Sequence, residues 1–253
     1  MTSRRIESEV WRVVRGLSGL RVMITGAAGG IGSAIVDRLH DEGAVVMGVD
    51  VVSPADTRLA YAGACDVTDE ASVTAAFDAA VARTGGIDAL VPAAGIQISK
   101  DTHDLTADEF RTVIEVSALG TFLTTKYVIP AMLAARTGRI VTFGSTAAVG
   151  SAPRLAAYAA AKGAVLQYSR SIAVEYAARG IRVNCICPGG TMTPMMKQIE
   201  AQRVGVDHFK ERHPIGRYAE PAEIAGTVAF LLSDDASFMV GAAVMVDGGY
   251  SIG

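Results

Sequence analysis

Short apolar segments alternate with helix-length segments along the chain, and this alternation restricts the possible folds more than any other feature of the sequence. The apolar segments lie at 20–25, 44–49, 61–67, 88–91, 139–143, 181–186 and 242–246, and that at 61–67 is the weakest. Segments with a helical pattern lie at 30–42, 69–83, 106–135, 155–179 and 221–233. Continuous apolar runs are typical of parallel strands that are buried on both faces. The alternation therefore predicts an α/β fold with a doubly wound sheet.

The chain is predicted to form one domain. Its 253 residues include no linker rich in glycine, serine or proline, and 50% of them are hydrophobic, which is too many for a disordered chain. We expect the domain to cover 17–253, preceded by an extension at 1–16 in which apolar residues recur at helical spacing. The interval 188–219 has no clear strand, and its methionines favour a substrate lid at about 190–215. An ordinary surface helix is the alternative there.

Charge and cysteine content exclude several classes of protein. The formal net charge is -3 and no run of lysine or arginine occurs, so we expect a small-molecule partner and no nucleic acid. Cys65, Cys185 and Cys187 are unevenly spaced without a histidine cluster, which indicates core thiols in a reducing cytoplasm, with neither disulfides nor a metal site. The amino terminus has no continuous apolar stretch, so neither a secretion signal nor a membrane segment is expected.

A glycine-rich segment, TGAAGGIG, follows the first apolar run and has the features of a phosphate-binding loop. It places Gly26, Gly30 and Gly32 between a strand and a helix, where the backbone can approach a pyrophosphate closely. The second apolar run ends at Asp50, whose carboxylate can accept hydrogen bonds from ribose hydroxyls. That carboxylate would repel a 2′-phosphate, so the sequence favours NAD over NADP. A solvated carboxylate at a strand end is the alternative for Asp50.

Tyr158 and Lys162 stand one helical turn apart in YAAAK, so the two side chains share one helix face. Lowering a tyrosine pKa from about 10 to neutrality takes about 4 kcal/mol, which one ammonium at about 4 Å supplies at an effective dielectric near 20. Such a tyrosine can act as a general acid or base on an alcohol and carbonyl pair. Ser145, at the end of a predicted strand, can donate a hydrogen bond to the same substrate oxygen. A chance surface pair is the alternative.

As a set, these motifs resemble the short-chain dehydrogenase/reductase family. The matching pieces occur in the family's order, and the likeness covers the chain from about Leu17 to Gly253. They are TGAAGGIG, CDV at 65–67, PAAG at 92–95, Ser145, YAAAK, CPGGTMTPM at 187–195 and VDGG at 246–249. The resemblance implies a seven-stranded parallel sheet of Rossmann type, a nicotinamide cofactor and a homotetramer.

The resemblance also implies roles for individual residues. Tyr158 matches the family's catalytic acid/base, Ser145 its substrate-orienting hydroxyl, and Lys162 the residue that lowers the tyrosine pKa and binds the nicotinamide ribose. Asp66 and Val67 would flank the adenine, although Asp66 could equally cap the next helix. The expected cofactor-binding residues are Gly26, Gly29, Gly30, Ile31, Gly32, Asp50, Asp66, Val67, Ala93, Tyr158, Lys162 and Thr191, the last at the nicotinamide carboxamide.

Two segments depart from the family pattern. Ser117, in SALGTF, stands where the family has an asparagine that supports a proton-relay water, and a serine lacks the reach and the amide donor. Pro92 and Ala93 stand where the family usually has Asn-Asn or Asn-Ala, so cofactor contacts at this strand end are expected to differ. The expected catalytic set is Ser117, Ser145, Tyr158 and Lys162.

The first functional hypothesis is an NAD-dependent oxidoreductase acting on a secondary alcohol or its ketone. The alternatives are a catalytically silent NAD(H)-binding sensor or scaffold, and the same chemistry with NADP. The expected substrate pocket is formed by Ile96, Gln97, Ala147, Leu155 and the methionines of the lid, which favours a largely apolar, for example cyclic, molecule. Arg154 is a candidate partner for a polar group of the substrate, with a solvated arginine as the alternative.

Overall fold

One sheet of seven parallel strands forms the centre of the molecule. The structure is a computed structural model that describes residues 14–150, 152–202 and 210–253. The strands are β1 (Arg21–Thr25), β2 (Val45–Asp50), β3 (Tyr61–Ala64), β4 (Ala89–Pro92), β5 (Gly138–Phe143), β6 (Ile181–Pro188) and β7 (Ala243–Val246). Their order in the sheet is β3-β2-β1-β4-β5-β6-β7, and all neighbours are parallel. This confirms the predicted seven-stranded Rossmann-type sheet.

Helices cover both faces of the sheet. They are α1 (Gly30–Asp41), α2 (Glu70–Thr84), α3 (Ala107–Ile114), α4 (Gly120–Ala135), α5 (Ala156–Tyr176), α6 (Pro194–Gln202) and α7 (Pro221–Leu232) within the described ranges. Val22 and Ile24 of β1 pack into a first core cluster with α1 and α7, whereas Met23 packs into a second cluster with α2, α4 and α5. Successive side chains alternate across a strand, so consecutive apolar residues bury both faces. The doubly wound prediction is confirmed.

The order of the strands reverses beside β1. From β1 the chain continues outward through β2 and β3, and it then crosses back to place β4 on the other side of β1. In open α/β sheets, ligands bind at the carboxyl ends of the strands beside such a reversal. The carboxyl ends of β1, β2, β4, β5 and β6 therefore define the place where a site is expected.

The helix predicted at 106–135 is interrupted. Thr106 caps α3 through a capping box. A π-helical turn, Glu115–Leu119, then separates α3 from α4 and contains Ser117. Turns of this kind inside helices often occur at functional sites. By length and composition the stretch Ala107–Ala135 could cross a membrane, but α4 packs against β4 and β5 in the second core cluster.

Residues 1–13 of the amino-terminal extension and part of the predicted lid lie outside the described residues. Within the part that is described, Val14 packs against the first core cluster and Leu17 is fully buried in it. The helix expected at 1–16 stays a prediction. The predicted lid contains α6, and its residues 203–209 lie outside the description.

Candidate active site

A cavity of about 510 Å³ opens at the carboxyl edge of the sheet, beside the reversal of strand order. Its wall is formed by the glycine-rich segment after β1, by the ends of β2, β4, β5 and β6, and by the start of α6. It is lined by every residue of the expected cofactor-binding set: Gly26, Gly29, Gly30, Ile31, Gly32, Asp50, Asp66, Val67, Ala93, Tyr158, Lys162 and Thr191. The fold therefore brings this set together on one surface. That these residues bind a cofactor stays a prediction.

The glycine-rich segment forms a tight turn into α1. Gly26 has a φ of +70°, which side chains rarely adopt. A methyl group at Gly32 would lie 2.0 Å from the Gly26 carbonyl oxygen, so only glycine lets the helix start this close to the turn. No side chain caps α1, and its first turn holds no acidic residue. The free amides and the positive end of the helix dipole suit a pyrophosphate.

Asp50 ends β2 at the cavity wall. Its Oδ2 accepts a hydrogen bond from the Ala28 amide at 3.0 Å, and its Oδ1 accepts one from the Val51 amide at 2.8 Å. These bonds fix the carboxylate against the glycine-rich turn, and its binding of a ribose stays a prediction. Of the charged residues in the described lining, Asp50 and Asp66 are acidic and only Lys162 is basic.

Asp66 also lines the cavity, but it does not cap α2. Its Oδ1 accepts hydrogen bonds from the Thr68 amide at 2.9 Å and from the Thr68 hydroxyl at 2.7 Å. Asp69 caps α2 and accepts a hydrogen bond from the Ala71 amide at 3.0 Å. The capping role considered for Asp66 is therefore wrong, because the chain makes a turn after Asp66 before the helix begins.

Tyr158, Lys162 and Ser145 meet at one end of the cavity. Lys162 Nζ lies 5.7 Å from the centre of the Tyr158 ring and donates a hydrogen bond to the Phe143 carbonyl at 2.9 Å. Ser145 lies two residues after Phe143, the last residue of β5. Its Oγ accepts a hydrogen bond from the Ala147 amide at 3.1 Å. Lys162 is buried, so a chance surface pair does not describe Tyr158 and Lys162.

Burial shifts the pKa of both titratable groups at this end. Burial raises the pKa of Tyr158, and the neighbouring Ser145 hydroxyl lowers it in part. Burial also lowers the pKa of Lys162 to about 8. Burial of Tyr158 therefore opposes the lowering of its pKa that we expected from Lys162. The Lys162 ammonium donates a hydrogen bond to the Phe143 carbonyl.

Ser117 lies one layer behind the cavity wall. It is buried, and its Oγ has no hydrogen-bond partner among the described residues. A methyl group on Gly95 would lie 3.3 Å from Lys162 Nζ and 3.6 Å from Ser117 Oγ, so both polar atoms flank the same glycine. Ser117 does not line the cavity with the other three members of the expected catalytic set. Any part it has in catalysis is therefore indirect.

The lining of the cavity is mostly apolar. Ile96 and Gln97 line it as expected, together with Val116, Met195 and Met196. The two methionines belong to α6, so the start of the predicted lid borders the cavity, and its action as a lid stays a prediction.

Four expected substrate contacts are not in the described lining: Ala147, Arg154, Leu155 and Met192 of the predicted lid. Ala147 lies in the short helical turn behind Ser145, and Leu155 is buried where α5 begins. Arg154 is exposed and donates a hydrogen bond to the Ser99 carbonyl at 3.2 Å. Sequence reasoning also missed Val51, which lines the opposite end of the cavity beside Asp50. Its position directly after that aspartate was the available signal.

Comparison with known proteins extends these observations over nearly the whole chain. A family model described as enoyl-(acyl carrier protein) reductase matches residues 26–251. The chain is 44% identical over 240 residues to cis-4-hydroxycyclohexanecarboxylate dehydrogenase of Sinomonas cyclohexanicum, covering 90% of this chain and 95% of that protein. It is 40% identical over 245 residues to 2-(S)-hydroxypropyl-CoM dehydrogenase 3 of Xanthobacter autotrophicus, with the same coverage. A solved structure of 3-ketoacyl-(acyl-carrier-protein) reductase from Brucella melitensis, complexed with NADH, matches with a TM-score of 0.86 and 31% identity, covering 93% of this chain and 100% of that one.

Proposed function

Because the chain belongs to the short-chain dehydrogenase/reductase family, it is a nicotinamide-dependent oxidoreductase, and we propose that it transfers hydride between NAD and a secondary alcohol or its ketone. The observation that carries this proposal is the meeting of Tyr158, Ser145 and Lys162 at one end of a cavity whose other end holds Asp50. Both relatives are named as dehydrogenases of hydroxyl compounds, which supports the alcohol as substrate.

In this proposal Tyr158 moves the proton. The bound nicotinamide supplies or accepts the hydride. In the oxidation direction the Tyr158 oxygen takes the hydroxyl proton of the alcohol, and in the reduction direction it returns a proton to the carbonyl oxygen. Ser145 donates a hydrogen bond to the same oxygen and orients it. Lys162, held by the Phe143 carbonyl, supplies positive charge that favours the phenolate.

Charge on the cavity wall supports NAD over NADP. Asp50 is held by the Ala28 amide where it can accept hydrogen bonds from the adenosine ribose. A 2′-phosphate at that ribose would meet like charge, and Asp66 adds a second carboxylate to the same wall. Lys162, the one cation of the described lining, lies at the other end beside Tyr158. The similarity to a structure complexed with NADH also supports this choice.

The apolar lining of the cavity supports a largely apolar substrate. Ile96, Val116, Met195 and Met196 offer hydrocarbon and thioether surface, and Gln97 offers a polar side chain. Methionines adapt to irregular shapes, so the cavity suits a cyclic or branched secondary alcohol better than a polyol.

Ser117 supports a second candidate, an NAD(H)-binding protein without catalysis. Its buried Oγ, without a described partner, replaces the amide that the family uses in proton transfer. Such a protein would bind NADH and stay silent with every alcohol. The Ser145, Tyr158 and Lys162 set favours the enzyme.

We further propose a cytoplasmic homotetramer. Large apolar side chains are exposed on the described surface, among them Phe122 on α4, Val174 on α5 and Phe238 after α7, and association would cover them. The three cysteines are free thiols, which suits a reducing compartment. Light scattering on the purified protein tests the tetramer, and a monomeric mass would contradict it.

A substrate panel tests the proposed reaction. Purified protein is mixed with NAD and with cyclic, branched and polyhydroxy secondary alcohols, and the appearance of NADH is followed by absorbance. Turnover of an apolar alcohol with NAD is expected. Tight NADH binding without turnover of any alcohol in the panel would favour the second candidate. Faster turnover with NADP than with NAD would overturn the cofactor assignment.

A further inference from the structure

His213 is buried behind the cavity wall and has no role in the proton and hydride transfer proposed above. It is 2% exposed, and its ring packs against Tyr218 and Tyr250 with centroid distances of 5.6 Å and 5.0 Å. Its Nε2 accepts a hydrogen bond from the Gly190 amide, with an N···N distance of 3.1 Å. A ring nitrogen that accepts from an amide carries no proton, so His213 acts here as an acceptor.

Gly190 is held on two sides, in the segment that joins β6 to α6. Its carbonyl accepts a hydrogen bond from the Ala219 amide at 2.9 Å, and its own amide donates to His213. The next residue, Thr191, is buried and lines the cavity. The imidazole therefore fixes the backbone one residue away from a position that faces the bound cofactor in the proposed function.

The same hydrogen bond joins the two ends of the predicted lid. Gly190 lies at the start of the predicted lid, before α6, and His213 lies near its end, 23 residues later in the chain. Beyond it, the Ile215 amide donates to the Gly248 carbonyl at 3.1 Å, in the turn after β7. Hydrogen bonds thus join the two ends of the predicted lid to each other and to the turn after β7.

We propose that His213 is a positioning residue for cofactor binding. By accepting the Gly190 hydrogen bond, it holds the Thr191 backbone where the nicotinamide carboxamide is bound, and this inference rests on the proposed function. Without the acceptor, a buried amide either stays unpaired or turns toward water, and both outcomes disfavour the bound geometry. His213 does not line the cavity, so its effect reaches the cofactor through the backbone at Gly190.

Three replacements distinguish the role of the hydrogen-bond acceptor from that of the volume of the imidazole ring. His213→Gln places an amide oxygen at about the reach of Nε2, His213→Asn places one too close to the backbone, and His213→Leu fills volume without an acceptor. His40→Leu, at an exposed position near the end of α1, is the matched control. For each variant, NADH affinity is measured by calorimetry, kcat and KM are measured with the best alcohol, and amide exchange is measured for the peptide that contains Gly190.

We expect the Leu and Asn variants to bind NADH about tenfold more weakly, equivalent to about 1.4 kcal/mol, with faster exchange at Gly190. The KM for the alcohol should change less than the affinity for NADH. The Gln variant and the His40→Leu control should stay within about threefold of the parent protein, the scatter expected for surface or conservative changes.

Several results would overturn the inference. Parent-like NADH affinity in both the Leu and Asn variants would show that the acceptor is not needed. Equal losses in all three His213 variants, or failure of all three to fold, would show that ring packing between the tyrosines is what matters. If the parent protein binds no NADH, the proposed function fails. The positioning role is then still supported if amide exchange at Gly190 is slow in the parent protein and fast only in the Leu and Asn variants.

Discussion

Replacing Asp50 with asparagine should weaken the preference for NADH over NADPH. The side chain keeps its size and one amide oxygen, so the hydrogen bond from the Ala28 amide can be kept while the negative charge is lost. In the parent protein that amide fixes Oδ2 against the glycine-rich turn, and the carboxylate cannot rotate away from a 2′-phosphate without losing this bond.

The size of the effect follows from the charge and its exposure. A carboxylate at about 4 Å from one phosphate charge costs about 4 kcal/mol at an effective dielectric near 20. Asp50 is only partly buried, so screening by water and salt reduces this to about 1–3 kcal/mol. The ratio of the two dissociation constants should therefore fall by about ten- to a hundredfold, since 1.4 kcal/mol corresponds to a factor of ten.

The assay is a calorimetric titration of both cofactors at one fixed salt concentration. The ratio is informative because damage to the turn would weaken both cofactors alike. Asp66→Asn is the matched control, since it removes a carboxylate from the same wall at a position assigned to adenine, and its ratio should change less. An unchanged ratio in Asp50→Asn, or an equal change in Asp66→Asn, would refute the electrostatic reasoning.

Three further predictions concern the glycine-rich turn, the buried lysine and the buried serine. Gly32→Ala should abolish NADH binding and lower the free energy of unfolding by about 1–3 kcal/mol, because the new methyl group meets the Gly26 carbonyl oxygen at 2.0 Å. Urea unfolding measures this change, with Gly163→Ala in α5 as the control. There the nearest atom outside the helix lies 4.0 Å from the new methyl group, so no loss of unfolding free energy is expected. Burial lowers the pKa of Lys162 from 10.5 to about 8, so the unfolded chain binds the extra proton between these values and stability rises with pH there. Relative to Lys162→Met, the free energy of unfolding of the parent protein, measured with urea, should rise by up to about 3 kcal/mol as the pH rises from 8 towards 10.5. A fall in this free energy over the same pH range would contradict the burial of Lys162. Ser117→Ala should leave the free energy of unfolding unchanged or slightly higher, because the Ser117 hydroxyl has no described partner to lose. A loss above about 1 kcal/mol would reveal a partner, and a lower kcat at unchanged stability would indicate an indirect part in proton transfer.

The sequence was sufficient to predict the sheet and the contents of the cavity. Apolar runs buried on both faces leave few arrangements other than a parallel sheet between two helical layers. In such a sheet the segments after the strands meet at one edge, so TGAAGGIG, Asp50 and Ser145 had to lie near one another. The spacing of Tyr158 and Lys162 on one helix face is equally local, and both side chains do line the cavity.

Features that depend on tertiary packing were not predictable in this way. The π-helical turn around Ser117 breaks a segment whose sequence pattern is helical throughout. The sequence left open whether Asp66 caps α2, because Asp66 and Asp69 both precede the helix and only backbone geometry decides between them. The pKa shift of Tyr158 depends on burial and on the hydrogen bond with the Ser145 hydroxyl, neither of which the spacing of Tyr158 and Lys162 determines. His213 gave no signal, because its partner Gly190 lies 23 residues away across the lid.

The most direct measurement is the turnover of Tyr158→Phe with the best alcohol of the panel, made beside a calorimetric titration with NADH. Loss of the hydroxyl removes the proton-transfer group and leaves the ring, so kcat should fall by about a hundredfold or more. The dissociation constant for NADH should stay within about threefold, as for a conservative change. Turnover at the parent rate would contradict the assignment of Tyr158 as the acid/base.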